Sequence, residues 1–224
     1  MSAFFITGTG TGIGKTFVTA GLLRVLRPQG ASAIKPVLSG YDSAPGSDPA
    51  LLLEAMGHAV SEKAVAAIAP FRFAAPLSPD MAASREGRAI DFAAALSFCR
   101  QAAARPETVL IEGVGGVMVP LDDRHTTLDL MAALNLPVLL VAGSYLGSIS
   151  HSLTAMAALA QAGITPALVI VNDSGTGEVP LAETAETLGR FLPGQAIATL
   201  PRPAQETDFV PVAGLLLGKR ETAA

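Results

Sequence analysis

Apolar residues in this chain fall into short continuous runs, and between these runs they recur at helical spacing. "AFFIT" (3–7) predicts a buried strand, and residues 16–26 a helix that follows a glycine-rich loop. "ASAIKPV" (31–37) is expected to form a second strand, stopped by Pro36. In "SDPALLLEAMG" (47–57) the pattern predicts a helix with Asp48 as N-cap, Pro49 at its first position and Gly57 at its end. Residues 61–90 read as less regular. Beyond them the pattern predicts a helix over 91–105, the strand "ETVLIEG", a glycine loop "GVGG" and a helix over 126–134. The strand "PVLLVAG", a helix over 148–162, the strand "PALVIVN", a helix over 180–191 and the strand "AIATLP" complete the series.

Buried strands separated by helices imply a mostly parallel sheet, because parallel neighbours need crossover connections that lie over the sheet faces. The expected fold is therefore a doubly wound α/β domain of the P-loop, Rossmann-like three-layer type, with helices on both faces. One domain is the expected count over 1–224. In such sheets ligands bind beyond the carboxyl ends of the strands, so motifs that directly follow strands carry the most information.

Composition narrows the partners. Half of the 224 residues are hydrophobic, 15% are charged and the net charge is −4, which excludes the basic footprint of nucleic-acid binding. The longest strongly apolar run, "LPVLLVAG", is far shorter than the roughly 18 residues that cross a bilayer, and the N-terminus lacks the pattern of a secretory leader. The expectation is a cytoplasmic protein with small-molecule partners and neither membrane nor nucleic acid among them. Cys99 stands alone in a helical pattern and reads as a small buried hydrophobe, and His58, His125 and His151 show no metal spacing.

The loop "GTGTGIGKT" (8–16) follows the first strand and opens a helix. Glycines there let backbone N–H groups form an anion nest at a helix N-terminus, whose dipole also favours negative charge. Lys15 adds a mobile cation for phosphates, and the Thr16 hydroxyl a magnesium ligand. The strict pattern G-x-x-x-x-G-K-[ST] would need glycine at Thr9, so the match is a variant one. The dinucleotide fingerprint fits no register, and the second strand ends in Lys35 where that fold would place an acid, which excludes a nicotinamide enzyme.

Other strand ends carry further candidates. Lys35, in "AIKPVLSG", is either a solvated lysine or a second cation beside a transferred phosphoryl group. Asp48 is either an N-cap or a magnesium ligand. Glu112, in "VLIEGVGG", is either an exposed strand-end carboxylate or the acid that P-loop proteins keep near magnesium. The N–H groups near residues 147–150 form either a serine-capped helix start or a second anion site.

Taken together, "TGTGTGIGKT", "KPVLSG", "SDPALL", "PLSPDMAASREGR", "IEGVGG", "LGSISHSL" and "VND" resemble the dethiobiotin synthetase family in order and interval. The likeness runs from about residue 3 to 203 and weakens after Asp173. The resemblance implies an ATP-dependent, carbon–nitrogen bond-forming ring closure. In it 7,8-diaminononanoate takes up CO2 as a carbamate, ATP phosphorylates the carbamate, and the second amine displaces phosphate to give dethiobiotin.

It also implies residue roles. Lys15, Lys35 and Thr11 act in catalysis, and Gly12, Ile13, Gly14, Lys15, Thr16 and Phe17 wrap the phosphates. Thr16, Asp48 and Glu112 hold Mg2+, with Gly113, Val114 and Gly115 beside the nucleotide. Adenine is expected near Asn172, Pro201, Arg202 and Pro203. Substrate contacts fall to Ser39, Pro76 and Ser78, with the stretch "PLSP" (76–79) facing the substrate, and a homodimer is implied in which Leu146, Gly147 and Ser150 of one copy receive the substrate carboxylate of the other.

The family is similar to a broader group of P-loop ATPases that includes partition and septum-positioning switches. Those carry a signature lysine five residues before the P-loop lysine, where this chain has Gly10, and this weighs against the switch reading. Some dethiobiotin synthetases carry acids at the positions of Gly10 and Gly12 and a lysine at that of Tyr145, so contacts made by those side chains do not transfer.

Overall fold

The computed structural model describes residues 3–175 and 179–218. The chain begins with β1 (Ala3–Gly8) and, after the glycine loop, α1 (Lys15–Leu26). Next come β2 (Ala31–Ile34), β3 (Val37–Ser39), α2 (Asp48–Met56), α3 (Glu62–Ile68), β4 (Phe71–Phe73), α4 (Pro79–Arg85) and α5 (Phe92–Ala103). The alternating part continues with β5 (Thr108–Glu112), α6 (Thr127–Leu134), β6 (Val138–Gly143), α7 (Ser148–Gln161), β7 (Leu168–Asn172), α8 (Leu181–Phe191), β8 (Ile197–Leu200) and α9 (Glu206–Gly218).

Six strands form one parallel sheet in the order β2-β5-β1-β6-β7-β8. β1 lies in its middle: Ile6 pairs with Glu112 on one side and with Leu139 on the other. Every residue of β1, β5, β6 and β7 is buried, as a sheet covered on both faces requires. The order places the carboxyl ends of β1 and β5 side by side, so the loops that leave them meet. No described helix is long and apolar enough to cross a membrane.

Three expectations needed correction. "ASAIKPV" is two strands. Pro36 lacks an N–H to continue the ladder, and the chain leaves the main sheet at Lys35, whose amide donates to the Ile68 carbonyl at 2.9 Å. β3 then pairs with β4 in a separate parallel two-stranded sheet. That partner strand comes from residues 61–90, read as less regular, which hold α3 and α4 as well as β4.

The second correction concerns Asp48. The N-cap of α2 is Ser47, whose hydroxyl accepts from the Ala50 amide, and Asp48 is the first helical residue. Serine competes equally well for the capping position, and the aspartate is thereby left with its carboxylate free for another partner.

The third is α9, which the pattern did not foresee. Its Phe209 ring seats against Gly21 of α1, so closely that a Cβ at Gly21 would fall 2.2 Å from it. A glycine in a helix interior costs about 1 kcal/mol relative to alanine, and here it makes room for the docked ring.

Candidate active site

The loop between β1 and α1 takes its shape from Gly14, the N-cap of α1, at φ 95°. A side chain there is disfavoured by the backbone, and its Cβ would fall 2.3 Å from Asn172 Nδ2. That amide nitrogen donates to the Ile13 carbonyl at 2.9 Å, tying the end of β7 to the loop. The first amides of α1 have no intrahelical acceptor and create a site for negative charge.

Lys15 is nearly buried, and its Nζ donates to the Gly10 carbonyl at 2.8 Å. Burial, reinforced by repulsion from Lys35 and opposed by Glu112 and Asp48, pulls its ammonium down to about 8. The loop thus holds a cation short of counter-charge, which a phosphate would supply.

Three neighbouring elements deliver the remaining charges. Lys35, at the end of β2, is 3% exposed, and Glu112, at the end of β5, is fully buried. Lys35 Nζ lies 2.5 Å from Glu112 Oε1 and 2.9 Å from Asp48 Oδ2. Thr16 donates its hydroxyl to the same Glu112 oxygen at 2.6 Å. Burial opposes the Lys35 charge, yet Glu112 and Asp48 outweigh it and hold the ammonium above its ordinary value. Burial likewise opposes the Asp48 carboxylate, but Lys35 and the Thr16 hydroxyl bring it below the usual range. Both two-sided readings therefore resolve in geometry: Lys35 is not solvated, and Glu112 is not exposed.

Glu112 Oε2 is buried and accepts no hydrogen bond from any described residue. With the Thr16 hydroxyl and the Asp48 carboxylate nearby, this is a hard-oxygen donor set. Such a set suits magnesium, which takes one or two carboxylates and completes its shell with phosphates and water.

Lys15, Thr16, Lys35 and Asp48 open onto a cavity of about 540 Å³, and the fully buried Glu112 is not part of its lining. Of the predicted positions, Thr11, Gly12, Gly14, Lys15, Thr16, Lys35, Ser39, Asp48, Pro76, Ser78, Val114 and Gly115 line it. Leu77 and Pro79 of the expected "PLSP" stretch also do, as do Leu38 and Val119, which were missed. Leu38 precedes the predicted Ser39, Val119 has no predicted polar residue beside it in the sequence, and nothing in the local pattern separates such a wall from core.

The other predicted positions do not line this cavity. Ile13 is buried in the loop, and Gly113 donates its amide to the Ile6 carbonyl at 2.8 Å. The Arg202 guanidinium stands 5.9 Å from the centre of the Phe17 ring, which sets the Pro201–Pro203 segment beside the start of α1. Asn172 is buried, and its Oδ1 has no partner among the described residues. Leu146, Gly147 and Ser150 are exposed at the start of α7. There Tyr145 Oη lies 2.9 Å from His151 Nδ1.

The profile of the AAA domain family matches residues 2–208. The ATP-dependent dethiobiotin synthetase of Acidiphilium cryptum is 51% identical over 200 residues, which cover 86% of this chain and 89% of that one. The enzyme of the same name from a Caulobacter species (strain K31) is 48% identical and covers 90% and 89%. This chain belongs to the ATP-dependent dethiobiotin synthetase family.

A ParA family ATPase from Chlorobium tepidum superposes with a TM-score of 0.54 over 97% of this chain and 88% of its own. At 15% identity that likeness establishes the shared three-layer P-loop fold.

Proposed function

We propose that this protein forms dethiobiotin from 7,8-diaminononanoate, CO2 and ATP, releasing ADP and phosphate. The observation that carries the reading is Lys35, a buried second cation held by Glu112 and Asp48 beside the P-loop lysine and facing the same cavity. A loop that only binds and releases nucleotide does not require it. A reaction that passes a phosphoryl group to an anionic acceptor does.

In the first step an amine nitrogen adds to CO2 and loses a proton, giving a carbamate. A carbamate oxygen then attacks the γ-phosphorus and ADP departs. Finally the second amine attacks the carbonyl carbon, the C–O bond to phosphate breaks, and the cyclic urea closes. Carbamates are poor electrophiles, so phosphorylation supplies the leaving group, and tethering of the second amine gives it a high effective concentration.

Lys15 neutralises charge on the transferred phosphoryl group, and Lys35 holds the carbamate and then its phosphorylated form. Thr11 directs its hydroxyl to the transferred oxygens. The amides of residues 12–17 wrap the phosphates. Thr16, Asp48 and Glu112 would hold magnesium, which would supply charge neutralisation to the phosphates. Ser39, Pro76 and Ser78 shape the diamine side of the cavity, while Gly113, Val114 and Gly115 flank the nucleotide. Asn172, with Pro201, Arg202 and Pro203, receives the base.

The start of α7 serves a second copy of the chain. Its Leu146, Gly147 and Ser150 are exposed and line no part of the cavity described above, so a carboxylate-binding role places them across a homodimer boundary. We assign the protein to the cytoplasm, where its substrates would be made. Incubation with the diamine, bicarbonate, magnesium and ATP is expected to yield dethiobiotin by mass spectrometry. ATP consumption without that product would reject the substrate assignment, and a monomer by light scattering would reject the shared site.

A further inference from the structure

We infer that Glu62, which lies outside the cavity, is a positioning residue that sets Asp48 against Lys35 through the turn between β3 and α2. Its carboxylate accepts from two places in that segment: Tyr41 Oη at 2.7 Å and the Ala44 amide at 2.8 Å. The Ala44 carbonyl in turn accepts the Ser47 hydroxyl at 2.7 Å and the Ser47 amide at 3.3 Å. Between them, Pro45 and Gly46 with φ 75° fit a type II turn.

Ser47 caps α2 by accepting from Ala50, and its carbonyl accepts the Leu51 amide at 3.1 Å. The next residue is Asp48, the one member of this connected set that reaches the catalytic charges, through Lys35 at 2.9 Å. A continuous relay thus runs from Glu62 to Ala44, Ser47 and Asp48. The Arg72 guanidinium, 5.3 Å from the centre of the Tyr41 ring, braces the far end.

Glu62 is exposed. Surface contacts of this kind add little to global stability, so its contribution should register in the site and not in the melting temperature. Misplacing a reacting or metal-binding group by about 1 Å can cost up to a hundredfold in rate, and a partly freed turn should produce a fraction of that.

The inference rests on the assignment of Asp48 to the magnesium–nucleotide site, and it is tested by a double-mutant cycle over wild type, Glu62→Ala, Asp48→Asn and the double variant. The readouts are calorimetric affinity for the magnesium complex of a non-hydrolysable ATP analogue, and kcat for dethiobiotin. Glu62→Ala should weaken analogue binding about fivefold, while the double variant should bind no more weakly than Asp48→Asn, the mark of two residues acting through one route.

Glu62→Gln keeps an acceptor for Ala44 and a partner for Tyr41 and should restore near wild-type affinity. Unchanged affinity in Glu62→Ala, multiplicative losses in the double variant, or failure of the glutamine to rescue would each overturn the inference. Wild type that binds the analogue but makes no dethiobiotin would reject the substrate assignment, and the cycle in binding would still decide the role of Glu62. Wild type that binds no analogue would reject both.

Discussion

Lys35 Nζ lies 2.5 Å from Glu112 Oε1, and both side chains are shut away from solvent. Together with Asp48 at 2.9 Å, the lysine occupies the space between the two carboxylates assigned to magnesium. The protein therefore neutralises these two acids internally, and a divalent ion at the proposed site would have to share or displace that ammonium.

Replacing Lys35 by methionine tests the arrangement. Breaking a buried ion pair by removing one partner costs about 3 kcal/mol, because the remaining charge is left uncompensated. Lys35→Met is therefore expected to melt well below wild type in the absence of metal, and magnesium should restore more of its melting temperature than it adds to wild type. Equal magnesium shifts in the two proteins, measured by differential scanning fluorimetry, would show that the lysine does not screen the acids.

Lys15→Ala removes the buried cation of the loop. One preorganised charge at a developing anion contributes about 3 kcal/mol or more to the transition state, so turnover should fall by roughly two to three orders of magnitude. Near-normal kcat in a product assay would remove Lys15 from phosphoryl transfer.

Glu112→Gln keeps the size of the side chain and an acceptor for Thr16 while discarding the negative charge. The magnesium concentration needed for half-maximal rate should rise, because a neutral amide oxygen is a weaker hard-cation ligand. An unchanged magnesium titration would return Glu112 to a purely structural role.

Cys99, which does not line the cavity, offers a pH-dependent readout. Burial in α5 pushes its thiol up to about 12 from an ordinary value near 9. The folded protein should resist alkylation at pH 8, with labelling tracking unfolding. Between pH 9 and 12 the unfolded chain binds fewer protons than the folded one, so stability falls as pH rises through that window. Replacing Cys99 with alanine should flatten this alkaline limb, as followed by urea denaturation.

Much of the site was legible because its chemistry is local. Lys15 and Thr16 follow a glycine loop that directly succeeds a strand, and Glu112 closes an apolar run. Position relative to a strand end is all that such residues need to reach the carboxyl edge of a parallel sheet. Asp48 was ambiguous for a physical reason: serine and aspartate cap helices equally well, and only the folded chain shows that Ser47 takes the cap and releases the carboxylate to Lys35. Leu38 and Val119 were invisible because the wall of a cavity and the wall of a core have the same composition. α9 was missed because its anchor is a long-range fit of Phe209 onto Gly21, which periodicity within the helix does not reveal.

From the order of its residues alone, this chain determined an alternating α/β pattern, a phosphate-gripping loop and the family that the combined motifs define. These are properties of short windows, in which period, turn chemistry and spacing act over a few residues. Folding decided the rest: the strand order that sets β1 between β5 and β6, the break at Pro36 that sends β3 into a second sheet, and the meeting of Lys35, Asp48 and Glu112 from three distant segments. Burial and pairing of charge are relations between remote parts of the chain, and they exist only once the sheet has brought its strand ends together.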